Sequence, residues 1–196
     1  DSKKIIHKLN NISQTSSQGI IDAAKSIMTT DTFPKVEISK IKYKSHHITI
    51  YGFAKGSGMI APNMGTMLAF IFIEASLKKN DLKNLLHNNL ESTFNSISVD
   101  GDTSTNDTVM IFATGLKSTK IKMNRNFFNI LSRGVHDVML SLSKQIVSDG
   151  EGISKLIEVS VTSAKNRTQA SNVAFSIAES ILVKTAIAGE DANWGR

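Results

Sequence analysis

The sequence contains no cysteine among its 196 residues, which excludes disulfides, thiolate nucleophiles and cysteine-ligated zinc. Long apolar runs are also missing. The longest covers residues 67–73, far short of the roughly 20 residues that a membrane helix needs. Residues 1–14 are polar and rich in lysine, unlike a signal peptide. These absences predict a cytoplasmic protein with no membrane segment.

The charge balance is basic, but the basic residues are not clustered. The formal net charge is +6, from 23 lysines and arginines against 17 acidic residues. Nucleic-acid-binding domains group their basic residues on one face, whereas here the lysines, Lys35 among them, are scattered and only 6% of residues are aromatic. We therefore predict no nucleic-acid partner, and a solvated basic surface that attracts anionic substrates.

The hydrophobic pattern mixes two periods. Helical spacing predicts helices over residues 17–28, 80–94, 127–146 and 173–181, with Asn80 as a helix cap. Branched and aromatic residues predict strands over residues 36–43, 48–50, 66–73, 109–113 and 157–161, with a hairpin turn at residues 44–46. The elements do not alternate as regular βαβ units. We therefore predict one α+β domain built of layers rather than a doubly wound sheet.

A glycine-rich segment, residues 55–65, is the most unusual part of the chain. The spacing Gly56-x-Gly58-x-x-Ala61 matches the dinucleotide-binding fingerprint, which requires a helix directly after it. Gly65 and the run rich in phenylalanine and isoleucine that follows it are poor helix formers. The sequence therefore disfavours a dinucleotide site.

The Gly65–Thr66 pair suits a different chemistry. In an N-terminal-nucleophile enzyme, a threonine hydroxyl attacks the preceding carbonyl, the amide becomes an ester, and water releases a new N-terminal threonine. That threonine carries a nucleophilic hydroxyl and an amine that can act as its base. Gly65 has no side chain to obstruct the attack. Taken alone, the pair is also compatible with a turn that enters a strand.

Four segments, in order along the chain, decide between these interpretations. They are residues 23–35 (AAKSIMTTDTFPK), 55–70 (KGSGMIAPNMGTMLAF), 98–108 (SVDGDTSTNDT) and 184–196 (KTAIAGEDANWGR). Together they closely resemble the ornithine acetyltransferase (glutamate N-acetyltransferase) family, and the second resembles its self-cleavage segment. The resemblance extends over nearly the whole sequence. One departure is Gly65, where the family often has alanine, and the residue remains small.

The resemblance implies roles for particular residues. The family's nucleophile corresponds to Thr66, and the cleaved bond to Gly65–Thr66. Its substrate-binding lysine and threonine correspond to Lys55 and Thr29, and its acidic substrate-binding residue to Glu151. Each assignment has a structural alternative: Lys55 as a solvated loop lysine, Thr29 as a helix-terminal hydroxyl, and Glu151 as an exposed turn residue.

The activity that the resemblance implies is acetyl transfer from N-acetylornithine to glutamate, in arginine biosynthesis, through an acetyl-Thr66 intermediate. It needs no metal and no cofactor, and acetyl-CoA enters as a co-substrate if the enzyme is bifunctional. Two rivals are a self-cleaving aminopeptidase of the same superfamily, in which serine is the expected nucleophile, and an inactive fragment with only a binding role.

The resemblance also implies an organisation. Residues 1–65 correspond to the end of an α chain and residues 66–196 to the start of a β chain of one precursor, which assemble as two of each. The implied architecture is a helix–sheet–sheet–helix stack that is incomplete here. The family's oxyanion donors and C-terminal site residues are expected outside the chain. Residues 1–196 alone are therefore expected to be uncut and inactive.

Residues 100–107 alternate oxygen-bearing side chains, as a calcium-binding loop does. Such a loop requires glycine where this chain has Thr105 and glutamate where it has Ile111. We therefore predict a hydrogen-bonded loop near the active site rather than a metal site.

Overall fold

The computed structural model describes residues 17–58, 67–101, 106–115 and 121–194. In chain order the elements are α1 (Ser17–Ile27), β1 (Lys35–Tyr43), β2 (His46–Lys55), β3 (Leu68–Ile73), α2 (Lys79–Leu90), a 3₁₀ turn (Phe94–Ser96), β4 (Thr108–Ala113), α3 (Arg125–Val147), α4 (Arg167–Ala178) and α5 (Ile181–Ala188). The α+β class predicted from the sequence is confirmed.

The four strands form one mixed sheet in the order β1-β2-β3-β4. Strands β1 to β3 are antiparallel neighbours, and β4 lies parallel to β3. The β1–β2 hairpin turns through Lys44 and Ser45, since Tyr43 pairs with His46. Helix α2 lies in the connection from β3 to β4, because parallel strands need a crossover.

The core lies between α3 and one face of the sheet. Helix α3 begins after Asn124, whose side chain accepts a hydrogen bond from the Phe127 backbone N–H at 2.9 Å. Its buried side recurs every three to four residues and includes Phe127, Leu131, Val135, Val138, Leu142 and Ile146. Alternate residues of β2 and β3 complete the core, because successive side chains of a strand point to opposite faces. The core members of these strands are Ile48, Ile50, Ala54, Ala69, Ile71 and Ile73.

The helix and sheet approach closely at Gly52. A Cβ atom at this position would lie 3.0 Å from the Phe70 carbonyl oxygen and 3.1 Å from Leu142 Cδ1 of α3. Glycine is therefore the residue that fits here.

The opposite face of the sheet carries aromatic rings. Tyr51 and Phe72 stack with their centroids 5.3 Å apart, and Phe72 and Phe112 stack at 5.1 Å. Phe53 and Phe70 stack with their centroids 5.1 Å apart. Phe112 remains 40% exposed, so the described residues cover this face only in part.

The chain after α3 differs from the sequence prediction. The strand predicted over residues 157–161 is absent: this segment forms no ladder with any described strand, and a strand needs a partner for its backbone hydrogen bonds. The predicted final helix is two helices, because the hydroxyl of Ser180 accepts from the Val183 N–H at 3.3 Å and begins a new helix there. Neither α4 nor α5 contains a buried residue.

A smaller correction concerns α2. Asn80 was predicted to cap this helix, but the helix begins at Lys79 and Lys78 occupies the cap position, without a side-chain capping bond. The apolar stripe of the helix is as predicted, with Leu85 fully buried and Leu82, Leu86 and Leu90 packed against the core.

Within the described residues, no single helix is both long and apolar enough to cross a membrane. Helices α4 and α5 reach that threshold of length and composition only when they are counted together across the 57° bend between them.

Candidate substrate-binding site at the end of the sheet

Lys55 is the last residue of β2, and its side chain enters the protein rather than the solvent. The residue is 7% exposed. Its ammonium donates a hydrogen bond to the Thr29 hydroxyl at 3.3 Å. Among the described residues, no carboxylate lies within ion-pair distance of this ammonium. The interpretation of Lys55 as a solvated loop lysine is therefore wrong.

A buried ion triad lies beside this lysine. The Lys35 ammonium contacts Asp31 Oδ1 at 2.7 Å and Asp149 Oδ2 at 2.5 Å, and the three side chains are 0%, 0% and 2% exposed. Lys35 was predicted to belong to the solvated basic surface, and this prediction is wrong. The whole Lys35 side chain is buried. Its charge is tolerated inside the protein because two carboxylates contact the ammonium.

The two carboxylates are held ionised by their partners. Burial alone would raise the pKa of Asp31, but hydrogen bonds from the Gly56 backbone N–H and the Lys35 ammonium outweigh burial and lower it below 3.8. Burial likewise opposes ionisation of Asp149, while Lys35 and both donors of Thr32 lower the pKa of this carboxyl. Each carboxylate thus depends on several donors from other elements.

The end of β2 is joined to the end of α3 by a second contact. The Ser57 hydroxyl donates to the Asp149 backbone carbonyl at 2.6 Å. Gly150 follows directly, and a Cβ atom there would lie 2.9 Å from Val99 Cγ1 and 3.6 Å from the Ser57 carbonyl oxygen. The chain leaving α3 therefore runs against the β2 terminus with no room for a side chain.

Strand β3 begins at the same end of the sheet, because Leu68 pairs with Lys55 in the antiparallel register. The residue before it, Met67, is fixed by two bonds. Its backbone N–H donates to Asp107 Oδ1, and its carbonyl accepts from the Thr108 N–H at 3.0 Å. The prediction that the loop before β4 is hydrogen-bonded agrees with this contact to Asp107.

Gly65 and Thr66, the predicted cleavage site and nucleophile, lie outside the described residues. The first described residue after them is Met67, whose two bonds hold the start of β3.

Glu151 is placed differently from Lys55 and Thr29. It is exposed in the turn after α3, and no hydrogen bond or ion pair links it to either residue among those described. It lines a cleft of about 1030 Å³ between the end of α3, the segment after it and α4–α5. Lys144, Lys155 and Lys184 also line this cleft, whereas Lys55 does not.

The structure thus brings together two of the predicted site residues, Thr29 and Lys55, and places Glu151 in the neighbouring turn. Sequence reasoning did not identify Asp31, Lys35 and Asp149 as functional residues. Asp31 and Lys35 lie within the first of the four family-like segments and are four residues apart, but neither signal distinguishes a buried ion pair from an exposed one. In the described part of the chain, no group of three histidine or carboxylate side chains could hold a metal ion.

The mixed sheet with α3 packed on one face defines an α+β protein of the layered kind. The model of the ArgJ family matches residues 1–196. The chain belongs to the ArgJ family.

Curated relatives agree with this assignment. The chain is 46% identical over 206 residues to the "Arginine biosynthesis bifunctional protein ArgJ" of Brucella suis biovar 1, covering 100% of this chain and 49% of the relative. It is 46% identical over 202 residues to the protein of the same description from Bradyrhizobium diazoefficiens, with the same coverage. The chain therefore spans about half the length of the curated relatives it matches.

A solved structure is also similar. The crystal structure of arginine biosynthesis bifunctional protein argJ from Bacillus halodurans matches with a TM-score of 0.58 and 46% sequence identity. The match covers 66% of this chain and 62% of that chain.

Proposed function

We propose that this chain is part of an acetyltransferase that transfers an acetyl group from N-acetylornithine to glutamate, with Thr66 as nucleophile after cleavage at Gly65–Thr66. The observation that supports it most is the buried ammonium of Lys55, which has the Thr29 hydroxyl as its partner and no carboxylate within ion-pair distance among the described residues.

A buried charge without a counter-ion is unfavourable by several kcal/mol in proteins. A substrate carboxylate would supply the missing counter-ion, and both N-acetylornithine and glutamate carry one. The Thr29 hydroxyl, 3.3 Å from the ammonium, would donate to the same carboxylate. Glu151, in the turn after α3, is our candidate for the substrate's ammonium at its other end.

The position of β3 supports the role of Thr66. Met67 is held by Asp107 and by Thr108, and Leu68 pairs with Lys55. The start of β3, to which Thr66 is covalently attached, therefore lies beside Lys55. A substrate whose carboxylate is bound at Lys55 would therefore have its acetyl group close to the start of β3.

The chemistry then runs in two half-reactions. The Thr66 amine, directly or through water, takes the proton of the Thr66 hydroxyl as its oxygen attacks the acetyl carbonyl. The tetrahedral intermediate collapses, ornithine leaves with that proton, and an acetyl ester remains on Thr66. The amine of glutamate attacks this ester, forms N-acetylglutamate and returns the hydroxyl. No metal or cofactor is needed, and acetyl-CoA would enter as a co-substrate if the enzyme is bifunctional.

Cleavage would give two chains that share one sheet, since β2 lies before the cut and β3 after it. This pairing supports an association of the α and β chains. An assembly of two α and two β chains follows from the family resemblance and is part of the proposal.

The test uses the full-length gene product. Thr66→Ala should give one uncut mass and no acetyl transfer, whereas Thr66→Ser should retain part of both activities. With N-acetylornithine and no glutamate, the cut wild-type enzyme should gain one acetyl group on the peptide that begins at Thr66. Acetyl transfer by the alanine variant at the wild-type rate would refute the proposal. Release of amino acids from short peptides, without acetyl transfer, would favour the aminopeptidase alternative.

A further inference from the structure

The triad of Asp31, Lys35 and Asp149 has more bonds than an ion pair requires. Asp31 Oδ1 also accepts from the Gly56 N–H at 2.7 Å, and Asp31 Oδ2 accepts from the Thr29 N–H at 3.2 Å. Asp149 accepts from both the backbone N–H and the hydroxyl of Thr32. One buried cluster therefore binds three separate parts of the chain.

These three parts are the ones that carry the proposed substrate-binding residues. Thr29 is itself a donor to Asp31. Gly56 follows Lys55 directly, and its N–H is held by the same carboxylate. Glu151 lies two residues after Asp149, whose carbonyl is bound by Ser57.

The charge of the cluster is also informative. One ammonium and two carboxylates leave a net charge of −1 in a site that excludes solvent. Buried ion pairs are often no more stable than apolar residues of similar volume. A contribution to the stability of the fold is therefore a weak explanation for three buried charged side chains. One of the two carboxylates, Asp31, accepts from the backbone N–H of Gly56. Gly56 follows Lys55, the cation that has no carboxylate partner among the described residues, so the cluster holds the backbone next to this lysine.

We infer that the Asp31–Lys35–Asp149 triad is a positioning device: it fixes the Lys55 ammonium and the Thr29 hydroxyl in the geometry that binds the substrate carboxylate. Asp31, Lys35 and Asp149 act through Lys55 and touch no substrate themselves. The inference rests on the proposed function, in which Lys55 binds that carboxylate.

The test is a double-mutant cycle in the full-length, cut enzyme, with KM and kcat measured for glutamate and N-acetylornithine. Asp149→Asn keeps an oxygen acceptor but removes one charge of the triad. It should raise KM by about tenfold, with kcat changed by less than about threefold. In a Lys55→Met background the same substitution should change KM by less than about twofold, because the group it positions is gone.

The matched control is Ser141→Ala. Ser141 of α3 donates to Glu37 of β1 and so joins this helix to this strand without contacting the triad. It should lower the unfolding midpoint and leave KM unchanged. If Asp149→Asn does not fold, Ser57→Ala replaces it in the cycle. This variant leaves all three charges in place, and its KM effect should likewise disappear with Lys55→Met.

The outcomes separate the two claims. An equal KM effect of the triad or Ser57 variant in both backgrounds, or a loss of stability with unchanged KM, overturns the positioning role and leaves the proposed function intact. Unchanged KM in Lys55→Met alone overturns both the positioning role and the binding of the substrate carboxylate by Lys55, and leaves the role of Thr66 to its own test.

Discussion

The Lys55 ammonium lies 3.3 Å from the Thr29 hydroxyl, although 26 residues separate them in the chain. The β1–β2 hairpin brings them together: Lys35 at the start of β1 pairs with Ala54 near the end of β2. The segment that leads from α1 into β1 therefore arrives beside the last residue of β2. Two residues that the family resemblance named independently are neighbours in the fold.

Lys55→Met should separate binding from stability. The ammonium is buried without a carboxylate partner among the described residues, so an apolar side chain of similar length should leave the protein as stable or stabilise it. KM for both carboxylate substrates of the full-length enzyme should rise at least about tenfold. Thermal unfolding and steady-state kinetics check the two parts. The control is Lys40→Met, at an exposed lysine of β1, and an unfolding midpoint that drops with normal kinetics would show that Lys55 is structural.

The triad predicts a specific acid sensitivity. The pKa values of Asp31 and Asp149 are lowered from 3.8 in the folded protein. Their contribution to stability is therefore complete above about pH 5, well above the unfolded-state pKa, and is lost as the pH falls through the lower folded-state pKa. Below pH 4 the free energy of unfolding should decrease with decreasing pH, and more steeply in the wild type than in Asp149→Asn. Urea unfolding between pH 2 and 6 measures this difference, and identical pH dependences would contradict it.

One glycine in the β1–β2 turn should increase the stability of the protein. Lys44 has a φ of 54°, a left-handed conformation that glycine adopts with less strain, and Ser45 has no positive φ. Lys44→Gly should therefore stabilise the protein by about 0.5 kcal/mol, because relief of the left-handed conformation, about 1–2 kcal/mol, exceeds the entropic cost of glycine, about 0.5–1 kcal/mol. Ser45→Gly is the matched control and should destabilise it, because it only adds freedom to the unfolded chain. Chemical denaturation gives the free energy of unfolding of both variants. A less stable Lys44→Gly and a more stable Ser45→Gly would mean that the turn has a different backbone conformation.

Gly52→Ala should destabilise the interface between α3 and the sheet. The added methyl would lie 3.0 Å from the Phe70 carbonyl oxygen, a backbone atom that cannot move without disturbing β3. Overpacking of this kind typically costs about 1–3 kcal/mol. In Gly58→Ala the new methyl would have its nearest neighbour among the described residues at 3.7 Å, from Asp100, so this control should be near neutral. Equal unfolding midpoints for the two variants would contradict the close approach.

Much of the fold could be predicted from the sequence, because the spacing of hydrophobic residues that marks a helix or a strand depends only on residues within that element. The stripe along α3 and the alternation in β2 and β3 each depend on residues within one element. The segment at residues 157–161 shows the limit of this reasoning. Val159 and Val161 are more buried than their neighbours, as in a strand, but strand formation depends on a partner elsewhere, which a local pattern does not reveal.

The site was predictable to a smaller degree. Thr29 and Lys55 were found through the family resemblance, and their contact is a result of the hairpin register. The burial of Lys35 could not be predicted, because the sequence around a lysine does not show whether its side chain is solvated or enclosed by two carboxylates. Its burial depends on Asp149, which lies 114 residues away.

Strands β2 and β3 pair from Ile50↔Ile73 to Lys55↔Leu68, and residues 56–67 connect them. A cut within that connection would leave the hydrogen bonds between the two strands intact. It would, however, turn refolding from a reaction of one chain into a reaction between two chains. An uncut chain refolds at a rate that does not depend on its concentration. Two pieces must first meet, so their recovery falls as they are diluted. A protein cut at Gly65–Thr66 that once came apart there would therefore reassemble poorly in dilute solution.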